Sequence, residues 1–170
     1  MHRTVGLMLV LAVFTALWRV LPHEVNMTPL FALALFAGAQ LKPLQASALT
    51  LATVLLSDLL LGFHNTMLFV YAGLMLAVGI GSLLRQKTGI ALYAGASLAT
   101  SLTFFMISNF GVWLVAELYP LTAAGLLQSY VMALPFLWKS VASDLFFTLL
   151  FFAVFATLGK RSPTLTAVAR

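Results

Sequence analysis

The chain has 170 residues, 62% of them hydrophobic and only 8% charged, with nine basic and four acidic side chains. Soluble domains carry about a quarter charged residues, and a water-soluble globule of this length does not cover its surface with so few. The composition predicts a single polytopic all-α integral membrane domain, with apolar content for about six spans of ~20 residues each.

Other classes fall on the same inventory. The chain has no cysteine, which removes disulfide frameworks, thiolate metal sites and cysteine nucleophiles. Its net charge of +5 leaves no nucleic-acid footprint, because the basic residues stand singly between apolar runs. The N-terminus, His2-Arg3 and then an apolar run from Val5 to Leu17, imitates a signal peptide. Phe14-Thr15-Ala16 places a bulky residue where an A-x-A-like cleavage site needs a small one, so a retained first helix is expected.

In chain order, apolar runs between turn signals predict six transmembrane helices at about residues 5–21, 28–42, 43–63, 67–84, 90–115 and 136–158. The second opens on Thr28-Pro29, a capping residue followed by proline at the first helical position. At ~14 residues it rises only ~21 Å against a ~30 Å hydrocarbon core, so it must end inside the protein, thin the bilayer or continue across a kink. Residues 116–135, bounded by Tyr119-Pro120 and Leu134-Pro135, are too short to span and too apolar for a free loop, which predicts a lid-like interfacial or re-entrant segment.

The basic residues orient this arrangement. With the N-terminus inside, Arg3, Lys42, Arg85, Lys87, Lys160, Arg161 and Arg170 are cytoplasmic, and only Arg19 and Lys139 lie on the outer side. Both termini of an inner-membrane protein are then cytoplasmic. The cytoplasmic Lys and Arg read as plain membrane anchors.

All four acidic residues fall at the outer ends, with two of the three histidines and Trp18, Trp113 and Trp138. Asp58 lies ~7.5 Å from the outer end of the third helix and Asp144 ~12 Å into the sixth, at 1.5 Å per residue. Both stand in Ser-Asp-Leu triplets on helices of opposite direction. Acids within a membrane face the bundle interior or a wet cavity, where they pair or bind. Two readings stay open: a polar cavity floor, or an ion pair of one Asp with Arg19 or Lys139 that locks helices together.

The candidate substrate-binding set is Arg19, His23, Asn26, Thr28, Asp58, His64, Asn109, Trp113, Tyr130 and Asp144. Arg19 and the start of the second helix, capped by Thr28, suit an anionic or carbonyl group. The aspartates suit hydrogen-bond donors or a cationic group, and Trp113, Tyr130 and Trp138 offer stacking surface. His23, Glu24, Asp58 and His64 lack the i, i+4 spacing of a metal signature, so neither metal nor cofactor is expected. Ser97, Ser101 and Ser108 share one face of the fifth helix, where serines ordinarily bond their own backbone or a neighbour. Small residues four apart, Ala12 and Ala16, Gly73, Ala77 and Gly81, and Ala91, Gly95 and Ala99, mark close helix packing. There is no G-x-G-D, G-x-S-x-G or H-E-x-x-H motif and no phosphate-binding glycine loop, so no enzyme is expected.

The strings Arg19-x-x-Pro22-His23-x-x-Asn26-x-Thr28-Pro29, Ser57-Asp58-x-x-Leu61-Gly62-Phe63-His64-x-Thr66-Met67, Asn109-Phe110-Gly111-Val112-Trp113, Tyr119-Pro120-x-Thr122-x-x-Gly125-Leu126 and Ala133-Leu134-Pro135-Phe136 carry a resemblance over nearly the whole chain. They resemble an uncharacterised bacterial family of small membrane transport proteins, a domain of unknown function with no known substrate. The architecture is also similar to the S components of energy-coupling factor (ECF) transporters, six-helix vitamin- or metal-binding subunits. That similarity implies a ligand site near the outer face. It also implies an A-x-x-x-A edge, here Ala12 and Ala16, docking on a transmembrane coupling protein that works with ATPases. Nickel and cobalt S components also begin Met-His but place that histidine outside, whereas His2 falls on the cytoplasmic side here, so the metal role is not carried over.

The expected function is uptake of a small polar nutrient, such as a vitamin or its precursor, by an S-component-like substrate-binding subunit in contact with membrane lipid. The alternatives are a proton- or metal-coupled secondary carrier and a non-transporting membrane assembly factor.

Overall fold

A computed structural model describes residues 2–160, which form six helices and no strand. They are α1 (His2–Val20), α2 (Leu30–Gln40), α3 (Pro43–Leu61), α4 (Met67–Ser82), α5 (Ile90–Val115) and α6 (Ala123–Lys160). Arg161 and Arg170, two of the charges used for orientation, lie outside the described residues.

Three helices, α3, α5 and α6, are long and apolar enough to cross a membrane, while α1, α2 and α4 are shorter apolar helices. Their surfaces are those of a protein that faces lipid. Leu55, Leu56, Leu59 and Leu60 on α3 and Val10, Val13 and Leu17 on α1 are exposed, while polar Thr50, Thr53, Ser57 and Asp58 point inward. Water would not tolerate so many exposed leucines beside so many buried polar groups.

The short α2 is the hub. Every residue from Leu30 to Ala39 is buried, and the helix touches all five others. Eleven residues rise only ~16.5 Å, so α2 is sheathed by protein and does not reach across a bilayer on its own. Its backbone meets that of α4 directly: a Cβ on Gly38 would strike the Val78 carbonyl, and one on Gly81 would strike the Leu35 carbonyl. Around the rest of α2 runs an aromatic layer. Phe36 packs edge-on against Phe152 with ring centroids 4.9 Å apart and also against Phe151 and Phe155.

Both ends of α2 are held by neighbours. Leu41 is extended, Lys42 is extended, and Pro43 occupies the first turn of α3, a position where proline's missing N–H costs nothing. Arg85 donates from Nε to the Gly38 carbonyl at 3.2 Å and from Nη2 to the Leu41 carbonyl. A cation on orphan carbonyls at a helix C-terminus also meets the negative end of its dipole. Arg85 is thus the C-terminal cap of the central helix and no mere membrane anchor. At the other end α2 starts at Leu30, with Pro29 as N-cap residue and no side-chain cap bond, so the Thr28 cap does not form.

The largest correction concerns α6. The predicted break before residue 136 is absent: the helix runs unbroken for 38 residues with Pro135 inside it. Proline there leaves the Val131 carbonyl without its intrahelical donor, but packing holds the flanking turns on α5. Ser129 Oγ donates to the Asn109 carbonyl at 3.3 Å, and Tyr130 Oη to that of Met106 at 2.9 Å. The helix begins one turn after Pro120, capped by Thr122 Oγ1, which accepts from the Gly125 amide at 3.2 Å. A Cβ on Gly125 would strike the Pro120 carbonyl, so this turn requires glycine. The lid-like segment shrinks to the loop 116–122, pinned by Trp113 Nε1 donating to the Pro120 carbonyl at 3.0 Å.

The α2–α4 contact makes a direct prediction. Gly81→Val forces two backbones apart and should destabilise the protein by about 1–3 kcal/mol, whereas Gly79→Ala, which meets open space, should stay within about 0.5 kcal/mol. Unfolding midpoints of both variants in detergent check this; equal midpoints would remove the close approach from the account.

Candidate functional site

One end of the bundle gathers the C-terminal turns of α1 and α3, the loop before α2, the start of α4, and the facing turns of α5 and α6. Trp18 on α1 ties the loop down, its Nε1 donating to the Met27 carbonyl at 2.8 Å. Asn26 bends it, with φ of 64°, a left-handed conformation that Asn adopts more readily than most residues. The exposed pair of Lys139 and Glu24, 2.9 Å apart, tethers it to α6. The Lys139 ammonium, through its hydrogen bond and then its charge, holds the Glu24 carboxyl below its ordinary value.

Asp58 is fully engaged. Arg19 Nη2 lies 2.8 Å from its Oδ1, and Tyr71 Oη donates to its Oδ2 at 2.8 Å. Arg19 is spent on the same knot: Nη1 donates to the Val54 carbonyl at 3.2 Å and to Ser57 Oγ. Three helices, α1, α3 and α4, are thus locked by one carboxylate and one guanidinium. The Asp58 side chain is 3% exposed and that of Arg19 14%, so losing either leaves an uncompensated charge out of water. This is the ion-pair reading, realised between Asp58 and Arg19.

Asp144 has a different environment. It is 4% exposed, and Ser101 Oγ donates to its Oδ2 at 2.7 Å. No basic side chain among the described residues pairs with it; the ion pairs found there are Arg19–Asp58 and Lys139–Glu24.

Asp144 lines a cavity of about 140 Å³ with Arg19, Asn26, Thr28, Leu30, Phe31, Val70, Phe104 and Ser140. A second cavity of about 170 Å³ shares Asn26, Phe104 and Ser140 and adds Ser101, Phe105, Ser108, Asn109, Ala133, Phe136 and Leu137. The shared lining makes them adjoining chambers between the loop, α5 and α6. Polar groups approach from several elements, and phenylalanine rings supply apolar wall. A roomier apolar groove of about 320 Å³ at the far end of α1 and α3, lined by residues such as Val5, Met8 and Leu49, carries no ionisable group.

The predicted set divides cleanly. Arg19, Asn26, Thr28 and Asp144 line the first chamber and Asn109 the second, while Asp58 stands behind Arg19. His23 donates from Nδ1 to the Leu21 carbonyl at 2.7 Å and is exposed. His64 bonds Thr66 Oγ1 at 2.8 Å, also exposed. Trp113 and Tyr130 are spent on backbone carbonyls, and Trp138 is exposed, so none of the three offers stacking surface to the chambers. Ala12 is buried among the chain's own helices and Ala16 is half-buried.

Sequence reasoning missed Tyr71, Phe104 and Ser140. Ser140 stands four residues before Asp144 on one helical face, which is a legible signal; Tyr71, in an apolar run, and Phe104, an aromatic beside another aromatic, gave none. Stability should therefore depend on the Arg19–Asp58 pair far more than on the Asp144 charge. Arg19→Ala should cost about 3–5 kcal/mol of stability by stranding Asp58, and Asp144→Asn should cost far less. Thermal unfolding of the two variants checks this, and equal losses would contradict it.

No curated protein and no solved structure matches the chain. A family model does match residues 1–165. On that coverage the chain belongs to the family described as a family of unknown function, DUF6580.

Proposed function

We propose that the protein is a solute-binding membrane transport protein that takes up a small polar nutrient through the two adjoining chambers. The observation that carries this reading is Asp144, a buried carboxylate without an ion-pair partner among the described residues, facing a cavity walled by amide, hydroxyl, aliphatic and phenyl groups and by Arg19, whose guanidinium is paired with Asp58. A helical scaffold needs no such acid for its own stability, and intramembrane acids mark substrate and ion pathways. Asn26, Asn109, Ser108 and Ser140 would hydrogen-bond the solute, Phe104 would pack on its apolar face, and Asp144 would take a donor or cationic group. Arg19, committed to Asp58, would shape the wall.

The orientation that supports uptake has both termini cytoplasmic and the chambers opening to the outer side of the inner membrane, by the bias of basic residues. No catalytic role is proposed. Two energy sources fit. An S-component-like subunit would borrow ATPases through a coupling protein, whereas a secondary carrier would use an ion gradient. Asp144, without a basic partner among the described residues, favours the second, because a coupling-ion site needs such a group. Ala12, packed inside the bundle, gives less to the first.

Native mass spectrometry of gently purified protein tests the binding reading. A polar metabolite should be released stoichiometrically from the wild type and lost from Ser140→Phe, which fills the chamber, and from Asp144→Asn. Protein carrying only lipid, or a metabolite retained by both variants, would contradict it. Uptake by the purified protein alone in liposomes, driven by an ion gradient, would decide between the energy sources.

A further inference from the structure

α5 and α6 meet in a regular antiparallel register beneath the chambers. Tyr93 stacks on Phe152 with ring centroids 3.8 Å apart and planes 13° from parallel. Eight residues further on α5 and eight back on α6, Ser101 donates to Asp144 at 2.7 Å. Midway, four residues from each pair, stand Ser97 on α5 and Thr148 on α6. Residues four apart share a helical face, so the two pairs flanking Ser97 and Thr148 aim both hydroxyls into the same seam. Ser97 is 1% exposed and Thr148 0%, and neither hydroxyl has a hydrogen-bond partner among the described residues.

This seam holds two deficits: a carboxylate without a counter-charge and, one turn away, two buried hydroxyls without partners among the described residues. A water molecule would serve the hydroxyls and leave the charge. A proton would neutralise the charge and leave the hydroxyls. A hard cation answers both, because carboxylate and hydroxyl oxygens are its natural ligands. Successive rungs lie ~6 Å apart and a cation with oxygen contacts of ~2.4 Å on either side spans ~4.8 Å, so the ligand oxygens must lean toward one another by about 1 Å. A single carboxylate balances a single charge, so a divalent ion would leave a buried excess. The nearest guanidinium across the chamber, that of Arg19, is held by Asp58, Ser57 and the Val54 carbonyl.

We propose that Asp144, Ser101, Ser97 and Thr148 form a site for a monovalent alkali cation of about the size of sodium, set in the α5–α6 seam below the solute chambers. The site deepens the transport reading by supplying a coupling ion, and it rests on that reading only for its role, since the binding chemistry stands on the seam itself.

The test uses the full chain in lipid nanodiscs without added solute. Its unfolding midpoint is followed as sodium chloride replaces choline chloride at constant ionic strength and pH 7.5. A saturable rise on the order of a few °C is expected with sodium, as for any ligand that binds only the folded state. Ser97→Ala and Thr148→Val, which keep the packing, should each raise the half-saturating sodium concentration about tenfold, and Asp144→Asn should abolish the response. Ser82→Ala, at the far end of α4, should leave it unchanged. Equal midpoints in sodium and choline would overturn the proposal. So would a stabilisation by acid alone, or a sodium response kept at full strength in the Ser97→Ala, Thr148→Val double variant. An empty cavity in native mass spectrometry would leave the sodium response standing, and loss of the sodium response would leave solute binding standing, so the two readings fail separately.

Discussion

The rest of the molecule depends on the complete burial of α2. A helix of eleven residues has too little length to cross a bilayer, and its interior carries no polar side chain, so it is stable only when other helices surround it. Gly38 and Gly81 let the α2 and α4 backbones touch, Arg85 closes its C-terminal carbonyls, and the α6 aromatics fill the space that remains. Because α2 stops short, the chain before it covers the end of its column: Leu21 to Asn26 stay exposed, Met27 and Thr28 are half-buried and Pro29 is buried. There Asn26 and Thr28 line the first chamber. The cavity is thus a consequence of a helix too short to fill its own column.

The two aspartates show how identical local sequence acquires different roles from its neighbours. Ser57-Asp58-Leu59 and Ser143-Asp144-Leu145 are alike in composition and burial, though Asp58 stands in the last turn of α3 and Asp144 in the middle of α6. Asp58 meets a guanidinium and a phenol and becomes a clamp. Asp144 meets one serine hydroxyl and an open chamber. Buried ion pairs are poor sources of net stability but costly to break, which suits a joint among three helices. A buried acid left unpaired is costly in itself, so its presence marks a group kept for binding. Ser143 does not repeat the role of Ser57: its hydroxyl donates to the Thr28 carbonyl at 3.2 Å and so anchors the loop to α6.

Much of this was legible in the sequence, and the gaps have physical causes. Charge scarcity announced an all-helical, lipid-facing protein, and α3, α4 and α5 fall close to their expected spans. Depth put Arg19, Asn26, Thr28 and Asp144 at one end of the bundle, but not in one cavity. Depth does not fix helix rotation, however, and rotation sends Trp113 and Tyr130 to backbone carbonyls, while His23 and His64 stand on exposed loops. Pro135 reads locally as a stop, yet in a long helix backed by α5 one lost hydrogen bond does not outweigh the packing on either side. Arg85 reads as an anchor because a linear sequence gives no sign that a helix ends unsatisfied beside it. Tyr71 and Phe104 are invisible for a similar reason, since an aromatic in an apolar run looks the same whether it faces lipid or a cavity.

The central claim is that the chambers beside Asp144 form a water-accessible site open to the outer side. The cysteine-free chain is a clean background for thiol labelling in intact cells. Ser140→Cys should react with a membrane-impermeant maleimide, while Gln45→Cys at the opposite end of the bundle should react only after permeabilisation. Protection of the Ser140→Cys thiol from outside reagent, with labelling of Gln45→Cys in its place, would contradict the account.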